Sequence, residues 1–385
     1  MGIFRLALAW SVLLGHSGGH GFFGLAFIDR QLAVECFFVI SGFYMGLVLN
    51  EKYLGPGRYW TFVQQRFLRL YPTYLIILLA ILLLDGTVSL VNGTPFASMQ
   101  PWAENIRVLT PGTVALFIEA NLLILGQDVI SLLQLDQVTG QLSFFNHTGN
   151  PALSVHYFYL NRPSWSLGVE FCFYLLAPFL VCRSAKLQAS VLLGSVALRF
   201  VLVYLFGDKT PWTYTFFPPN LCFFMAGSLG YLFYKQYRAR MEAALPSYRW
   251  TFFLFAVFVV TYNRLPMAHQ LYLVLIPLVC VMVPTLFAAT RNNHLDRLIG
   301  ELSYPFYLIH EHVLIYMNSL FANRAQWIYA PFCVALTLLL SYLFYRFIEL
   351  RTERYREGLY KKAKNKKLIS KEASLSTATS APVVE

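Results

Sequence analysis

Arg5 and His16 stand eleven residues apart in an apolar N-terminal stretch. On a helix they share one face, separated by about 16 Å along the axis. An imidazole, whose ordinary pKa lies near neutrality, could act there as a general base or a nucleophile. It could equally be a hydrogen-bonded packing residue. His20, one turn on among Gly18, Gly19 and Gly21, is the alternative working histidine.

Carboxylates, hydroxyls and guanidiniums recur at the ends of other apolar stretches. Glu35 precedes Cys36-Phe37-Phe38-Val39-Ile40-Ser41-Gly42-Phe43. It could orient a histidine, bind a hydroxyl, or sit solvated at a span end. Ser41-Gly42 also fits a close helix contact. Arg66 and Arg69 are one turn apart, before Pro72, which suits the first turn of a new helix. Two guanidiniums there could clasp phosphate, or serve only as orientation charges. Trp165 fits an interfacial aromatic belt. Ser166 and Glu170 follow it four residues apart on one face, and an acid inside an apolar run needs a partner or a proton. Tyr307 and His310 share a face further on, and Arg199 sits mid-span, where it should pair with an acid. His310-Glu311-His312 lacks zinc spacing, and no metal-ligand pattern occurs elsewhere. Nucleotide-loop, serine-hydrolase and zinc-protease motifs are absent.

The elements that hold these groups follow from composition. The chain has 385 residues, 57% hydrophobic and 13% charged, where a soluble domain carries about 25% charged residues. A water-soluble fold is excluded. Ten apolar segments can be marked, near 4–24, 32–50, 70–91, 165–182, 187–206, 217–234, 250–263, 270–290, 302–320 and 327–348. In lipid the backbone must satisfy itself, and no strand-like alternation appears. The expected fold is an all-α, polytopic transmembrane bundle of about ten spans. Residues 1–350 form the membrane-embedded domain, and 351–385 a basic, then disordered, cytoplasmic tail.

A net charge of +11 does not mark a nucleic-acid binder here, because nine of the 30 Lys and Arg lie from Arg351 to Lys371 and most others in short loops. With both termini inside, 23 basic residues fall on the inner side and six on the outer. That bias predicts cytoplasmic termini and contact with anionic lipid. The N-terminal stretch lacks a small-residue cleavage site, and reads as an uncleaved span. The six cysteines sit in or beside apolar segments and read as buried thiols. The largest outer excursion is 92–164. Its apolar piece 113–125 is short for a span and reads as re-entrant or interfacial, and Asn146-His147-Thr148 matches a glycosylation sequon. No internal repeat points to an inverted-repeat transporter.

Taken together, residues 4–350 resemble the integral-membrane acyltransferases of the acyltransferase-3 type. The marks are Arg5-x10-His16, Phe37 to Phe43, Arg66-x-x-Arg69-x-x-Pro72, Trp165-Ser166-Leu167 with Glu170-x-x-Phe173-Tyr174, and Tyr304-Pro305 with Tyr307-x-x-His310. The chain departs from that pattern at Gly2-Ile3-Phe4, at Glu35, where an Asp is usual, and at Gln65, where a second arginine is common. The resemblance implies transfer of an acyl group, usually acetyl, from acyl-CoA to a hydroxyl of a cell-surface or exported carbohydrate or lipid-linked glycan. Acyl-CoA is then a co-substrate and no bound cofactor is expected. It implies a catalytic group of His16, Arg5 and Glu35. It also implies a binding set of Ser41, Arg66, Arg69, Trp165, Ser166, Glu170, Tyr307 and His310. The setting expected is a bacterial inner membrane. The rivals from other classes are a glycolipid carrier that performs no chemistry and a polytopic scaffold.

Overall fold

Backbone self-sufficiency dominates the architecture. The computed structural model describes residues 1–17, 27–53, 58–146, 152–265, 271–321 and 326–362. His20 with its neighbouring glycines, His147 and Thr148 of the sequon, and the tail beyond 362 lie outside the described residues. Each of the ten apolar segments falls on a helix. These are α1 (Gly2–His16), α2 (Arg30–Glu51), α3 (Tyr59–Asn92), α5 (Trp165–Leu180), α6 (Ala185–Phe206), α7 (Phe217–Ala244), α8 (Arg249–Thr261), α9 (Tyr272–Thr290), α10 (His294–Phe321) and α11 (Gln326–Phe344). A further helix, α4 (Pro111–Leu122), belongs to the long excursion, and among the described residues three shorter α-helical turns of four to six residues lie in the loops. By length and composition, six helices or helix pairs are long and apolar enough to cross a membrane. The protein is an all-α membrane helix bundle.

Successive long helices alternate in direction, and two ends result. At the first, here the terminal end, the amides of Gly2 and Ile3 donate to Asp296 of α10 at 2.8 and 3.0 Å. Gln65 donates to the Arg356 carbonyl at 2.9 Å, and Arg291 pairs with Glu242 at 2.9 Å. At the opposite, loop end, Asp85 near the end of α3 is fully buried and accepts from Tyr316 at 2.6 Å and from the Ser98 amide at 3.0 Å.

The excursion after α3 folds back into the bundle. α4 has twelve residues, about 18 Å, which is too short for a hydrocarbon layer of about 30 Å. Its last carbonyls, on Asn121 and Leu122, accept from Tyr74 and Tyr71 midway along α3. The Asn121 side chain then holds the Phe158 carbonyl and the Leu160 amide, at 3.0 and 2.7 Å. A small antiparallel sheet, unanticipated from sequence, sits in the same segment. Strand β1 (Leu133–Asp136) lies between β2 (Leu142–Phe144) and β3 (Ala152–Ser154).

Helix α2 is the hub. A Cβ on Gly42 would lie 1.9 Å from the Phe224 carbonyl oxygen, and one on Gly227 1.9 Å from that of Val39. Two glycines therefore let α2 and α7 touch backbone to backbone, a contact that substitutes for the weak hydrophobic drive inside lipid. Glu35, fully buried on α2, receives Arg199 of α6 at 2.5 Å. Arg199 also donates to the Thr213 carbonyl at 3.0 Å and to Asn220 of α7 at 3.3 Å. The acid expected for Arg199 is thus Glu35, and the pair locks three helices.

Two local expectations are corrected. Pro72 does not open a helix: α3 runs through it from Tyr59 to Asn92. A membrane helix tolerates the lost amide; the same stretch of α3 is held from outside by Tyr304, which donates to the Leu70 carbonyl at 2.6 Å. Trp165 is not in an interfacial belt. It is 4% exposed, against Tyr214 at 4.5 Å and Phe38 at 6.4 Å between ring centres, because α5 begins beneath the inserted excursion.

Two outcomes check this architecture. Arg199→Met strands a buried carboxylate and should cost about 3–5 kcal/mol, whereas Glu35→Leu with Arg199→Met should restore most of it. Detergent-phase thermal melts decide, and equal melting of the single and double variants would remove the ion pair from its locking role. Single cysteines at Val138 and Tyr355, 75% and 61% exposed, should label differently in intact cells with an impermeant thiol reagent, in a background without the six native cysteines. Labelling at Val138 alone is expected; equal labelling at both sites would overturn the two-ended arrangement.

Candidate active site

A cavity of about 440 Å³ reaches from the terminal end into the middle of the bundle. Its mouth is basic. Arg5, Arg66, Arg69, Arg291 and Arg297 line it, against Glu170, Asp296 and Glu301. Partners sort these charges. Arg69 donates to Glu301 at 3.1 Å, and Arg291 is taken by Glu242. Asp296 is occupied by the start of α1. Arg66 lies between the rings of Phe62 and Tyr174, 5.7 and 5.8 Å from their centres, and its Nε has no hydrogen-bond partner. Arg5 and Arg297 also face the cavity without an ion pair among the described residues. Arg297 donates to the Arg291 carbonyl at 3.3 Å, but none of the three guanidiniums has its charge neutralised by a carboxylate among the described residues, and such a mouth suits a polyanion.

The wall midway down is a carboxylate in a fixed pose. Glu170 of α5 accepts from Ser41 of α2 at 2.6 Å and from Tyr174 at 2.5 Å. The blind end is a hydroxyl pair. Ser166 and Tyr307 stand 2.9 Å apart, and both reach the Pro163 carbonyl, at 3.0 and 3.3 Å. The two hydroxyls can share that carbonyl, which has two lone pairs, or Ser166 can donate to Tyr307 instead, so neither proton is committed to one acceptor. Either can turn toward a ligand oxygen, the arrangement that stabilises developing negative charge.

Beyond this floor three rings stand in a row. Tyr307 is 5.7 Å from His310, and His310 is 5.3 Å from His16, centre to centre. Nδ1 of His310 lies 2.6 Å from the Tyr307 carbonyl and donates to it. The lone pair of Nε2 is left buried and without a partner. His16 is exposed, with its Nδ1 3.5 Å from the Arg30 guanidinium.

The structure therefore gathers Arg5, Ser41, Arg66, Arg69, Ser166, Glu170 and Tyr307 around one cavity. Arg5 and His16 do lie on the α10 side of α1, at opposite ends. His16 and His310 stand behind the floor. Glu35 and Trp165 are outside the cavity, in the helix-locking network and the aromatic core. Sequence reasoning missed Glu301 and left Arg291 and Arg297 as orientation charges. Nothing local marks them, since their place at the mouth depends on α10 lying against α1 and α3. Among the described residues, no group of three or more His, Cys, Asp or Glu is placed to hold a metal ion.

A family model described as an acyltransferase domain matches residues 3–346. No curated protein and no solved structure matches the chain.

The partnering at the mouth has a consequence for anion binding. Inorganic pyrophosphate, titrated calorimetrically against the purified protein, should bind about tenfold or more weakly in Arg66→Ala, the loss of one charge-assisted hydrogen bond. Arg69→Ala should lose less, because Glu301 already engages that guanidinium. Glu301→Gln should bind more tightly than wild type. Equal affinity across all three variants would remove the arginines from anion recognition.

Proposed function

Because the chain belongs to the acyltransferase family whose domain spans residues 3–346, and is a multi-pass membrane acyltransferase, we propose that it moves an acyl group, acetyl in the simplest case, from acyl-CoA to a carbohydrate hydroxyl. The acceptor is a cell-surface or exported glycan, free or lipid-linked. The membrane is a bacterial inner membrane, with the terminal end facing the cytoplasm. One observation carries the reading: an arginine-lined cavity ends on a pair of hydroxyls, one layer of rings away from an exposed histidine.

Coenzyme A is a cytoplasmic polyanion, and Arg66, Arg5 and Arg297 meet its phosphates at the mouth. Arg69 joins when Glu301 yields it. The pantetheine arm lies along α2 past Ser41 and Glu170, and the thioester rests at Ser166 and Tyr307. The acceptor arrives from the loop end, beside His16. His16 takes the proton of the acceptor hydroxyl as the oxygen attacks the thioester carbon. A floor hydroxyl donates to the carbonyl oxygen as it becomes an oxyanion. The carbon–sulfur bond then breaks and the thiolate leaves toward the cytoplasm. Direct attack requires the Tyr307–His310 layer to move aside. A relay through an acyl-histidine uses the same residues, with the acyl group held briefly on a ring nitrogen.

Labelled acetyl-CoA tests the reading, together with mass spectrometry of surface glycans from cells with and without the gene. His16→Ala should lower transfer at least about 10²-fold, with acetyl-CoA binding retained and the acyl mass missing from the glycans. Unchanged transfer in His16→Ala would reduce His16 to a packing residue. Loss in His20→Ala instead would move the role one turn along.

A further inference from the structure

The cavity uses the charges of the terminal end and leaves a second polar cluster on the far side of its floor. There the segment after β3 packs against α10. Five buried side-chain atoms without a hydrogen-bond partner belong to this segment and to the face of α10 beside it: Nδ1 of His156, both amide atoms of Asn161 and both nitrogens of His312, which lies within electrostatic reach of Arg162. Nε2 of His310, about 200° round α10, is orphaned on the side of His16. Asn161 and His310 are fully buried and His312 is 6% exposed. Buried polar atoms normally have partners, and a concentration of orphans marks a place where the partner comes from outside the chain. The residues between them bring a matched charge pair. Arg162 donates to Glu311 at 3.4 Å, and its guanidinium lies 5.3 Å from the centre of the Tyr157 ring. Tyr157 itself is 44% exposed. His16 and Arg30 adjoin the cluster, close enough to act electrostatically on His156 together with Arg162.

The chemistry of these groups selects a ligand class. An amide and an imidazole each both donate and accept, as a hydroxyl does. A phosphate or carboxylate only accepts, and would face the Asn161 oxygen, the Glu311 carboxylate and the imidazole lone pairs. An alkyl chain would satisfy none of the orphaned atoms. An exposed aromatic face at the rim offers apolar contact to the C–H face of a sugar ring. We infer that Asn161, Glu311 and His312, with Tyr157 at the rim, form a binding site for a neutral polyhydroxylated ring, the acceptor sugar, beside His16 on the loop-end side. This rests on the reading of the acceptor as a carbohydrate, and adds where it is held and by which residues. Donor and acceptor then bind on opposite sides of Tyr307 and His310.

Saturation-transfer NMR tests the site without any donor. The full chain in nanodiscs is presented with methyl glycosides of glucose, galactose, mannose and N-acetylglucosamine at millimolar concentration. At least one should receive saturation from wild type. Asn161→Leu and His312→Phe should each weaken it at least tenfold. Both variants discard polar atoms that have no partner in the chain, so their melting temperatures without sugar should equal or exceed that of wild type. Acetyl-CoA affinity should stay within twofold in both. No transfer to any glycoside in wild type, retained transfer in both variants, or lower melting temperatures without sugar would each overturn the site. Sugar binding with no acetyl-CoA binding would overturn the donor reading alone. Acetyl-CoA binding with no sugar binding would overturn this site alone.

Discussion

A polar group withdrawn from water inside a helix bundle must find its partner in the protein or wait for one from outside, and that requirement sorts almost every charged residue of this chain. Those with partners hold helices together. Glu35 and Arg199 join α2, α6 and α7, and Asp85 binds the returning excursion to α3 and α10. Removing one member of such a pair strands the other, which makes these positions intolerant without making them catalytic. Among the described residues, several of those without a partner collect in two places only loosely linked by sequence. Arg66 and its neighbours stand at the cavity mouth, and Asn161, His310 and His312 stand behind its floor. The proposed chemistry is drawn from the places where the pairing requirement is left unmet.

Helix α2 shows how one element serves both purposes. Glu35 and Gly42 are seven residues apart, nearly two full turns, and lie on about the same face. That face meets α6 and α7, with an ion pair at one level and a backbone contact at the other. Ser41 points about a third of a turn away, into the cavity, where it fixes Glu170. The Ser41-Gly42 dipeptide is therefore both a packing point and a site residue. Its two readings from sequence are not exclusive, because adjacent residues on a helix face different neighbours.

What was legible in the sequence follows the same physics. The helices are written plainly, since lipid demands long apolar runs. The ten segments match ten helices to within a few residues at most ends, though α3 begins eleven residues earlier than its apolar run. Seven of the residues singled out for chemistry meet in one cavity, because polar groups inside apolar runs are expensive and so conspicuous. The rest was hidden for stated reasons. Both the lipid face and the packing face of a span are apolar, so sequence does not say which neighbour a helix meets. Glu301 reads as a surface acid until α3 brings Arg69 beside it. Trp165 reads as an interfacial anchor until the excursion covers it. The fold of 92–164, with α4 and its three short strands, depends on capping by Tyr71, Tyr74 and Asn121, residues with no local signature for that role.

The floor between the two polar regions has its own logic. A membrane protein that takes a charged donor from one side and its acceptor from the other must let the reacting atoms meet without opening an aqueous path. Side chains that are aromatic but carry one polar edge meet that demand. Tyr307 turns its hydroxyl to Ser166 in the cavity. Its backbone carbonyl takes the Nδ1 proton of His310, and the His310 ring stands against His16 on the other side. The layer is apolar enough to exclude water, yet it presents a hydroxyl below and a ring nitrogen above. Exclusion of water strengthens each electrostatic contact at the hydroxyl pair, and would protect the thioester of the proposed donor from hydrolysis. A wider gap would forfeit both. A purely aliphatic floor would keep water out but offer nothing to a developing oxyanion. A tyrosine followed one helical turn later by a histidine, with Ser166 opposite, meets both requirements with three side chains.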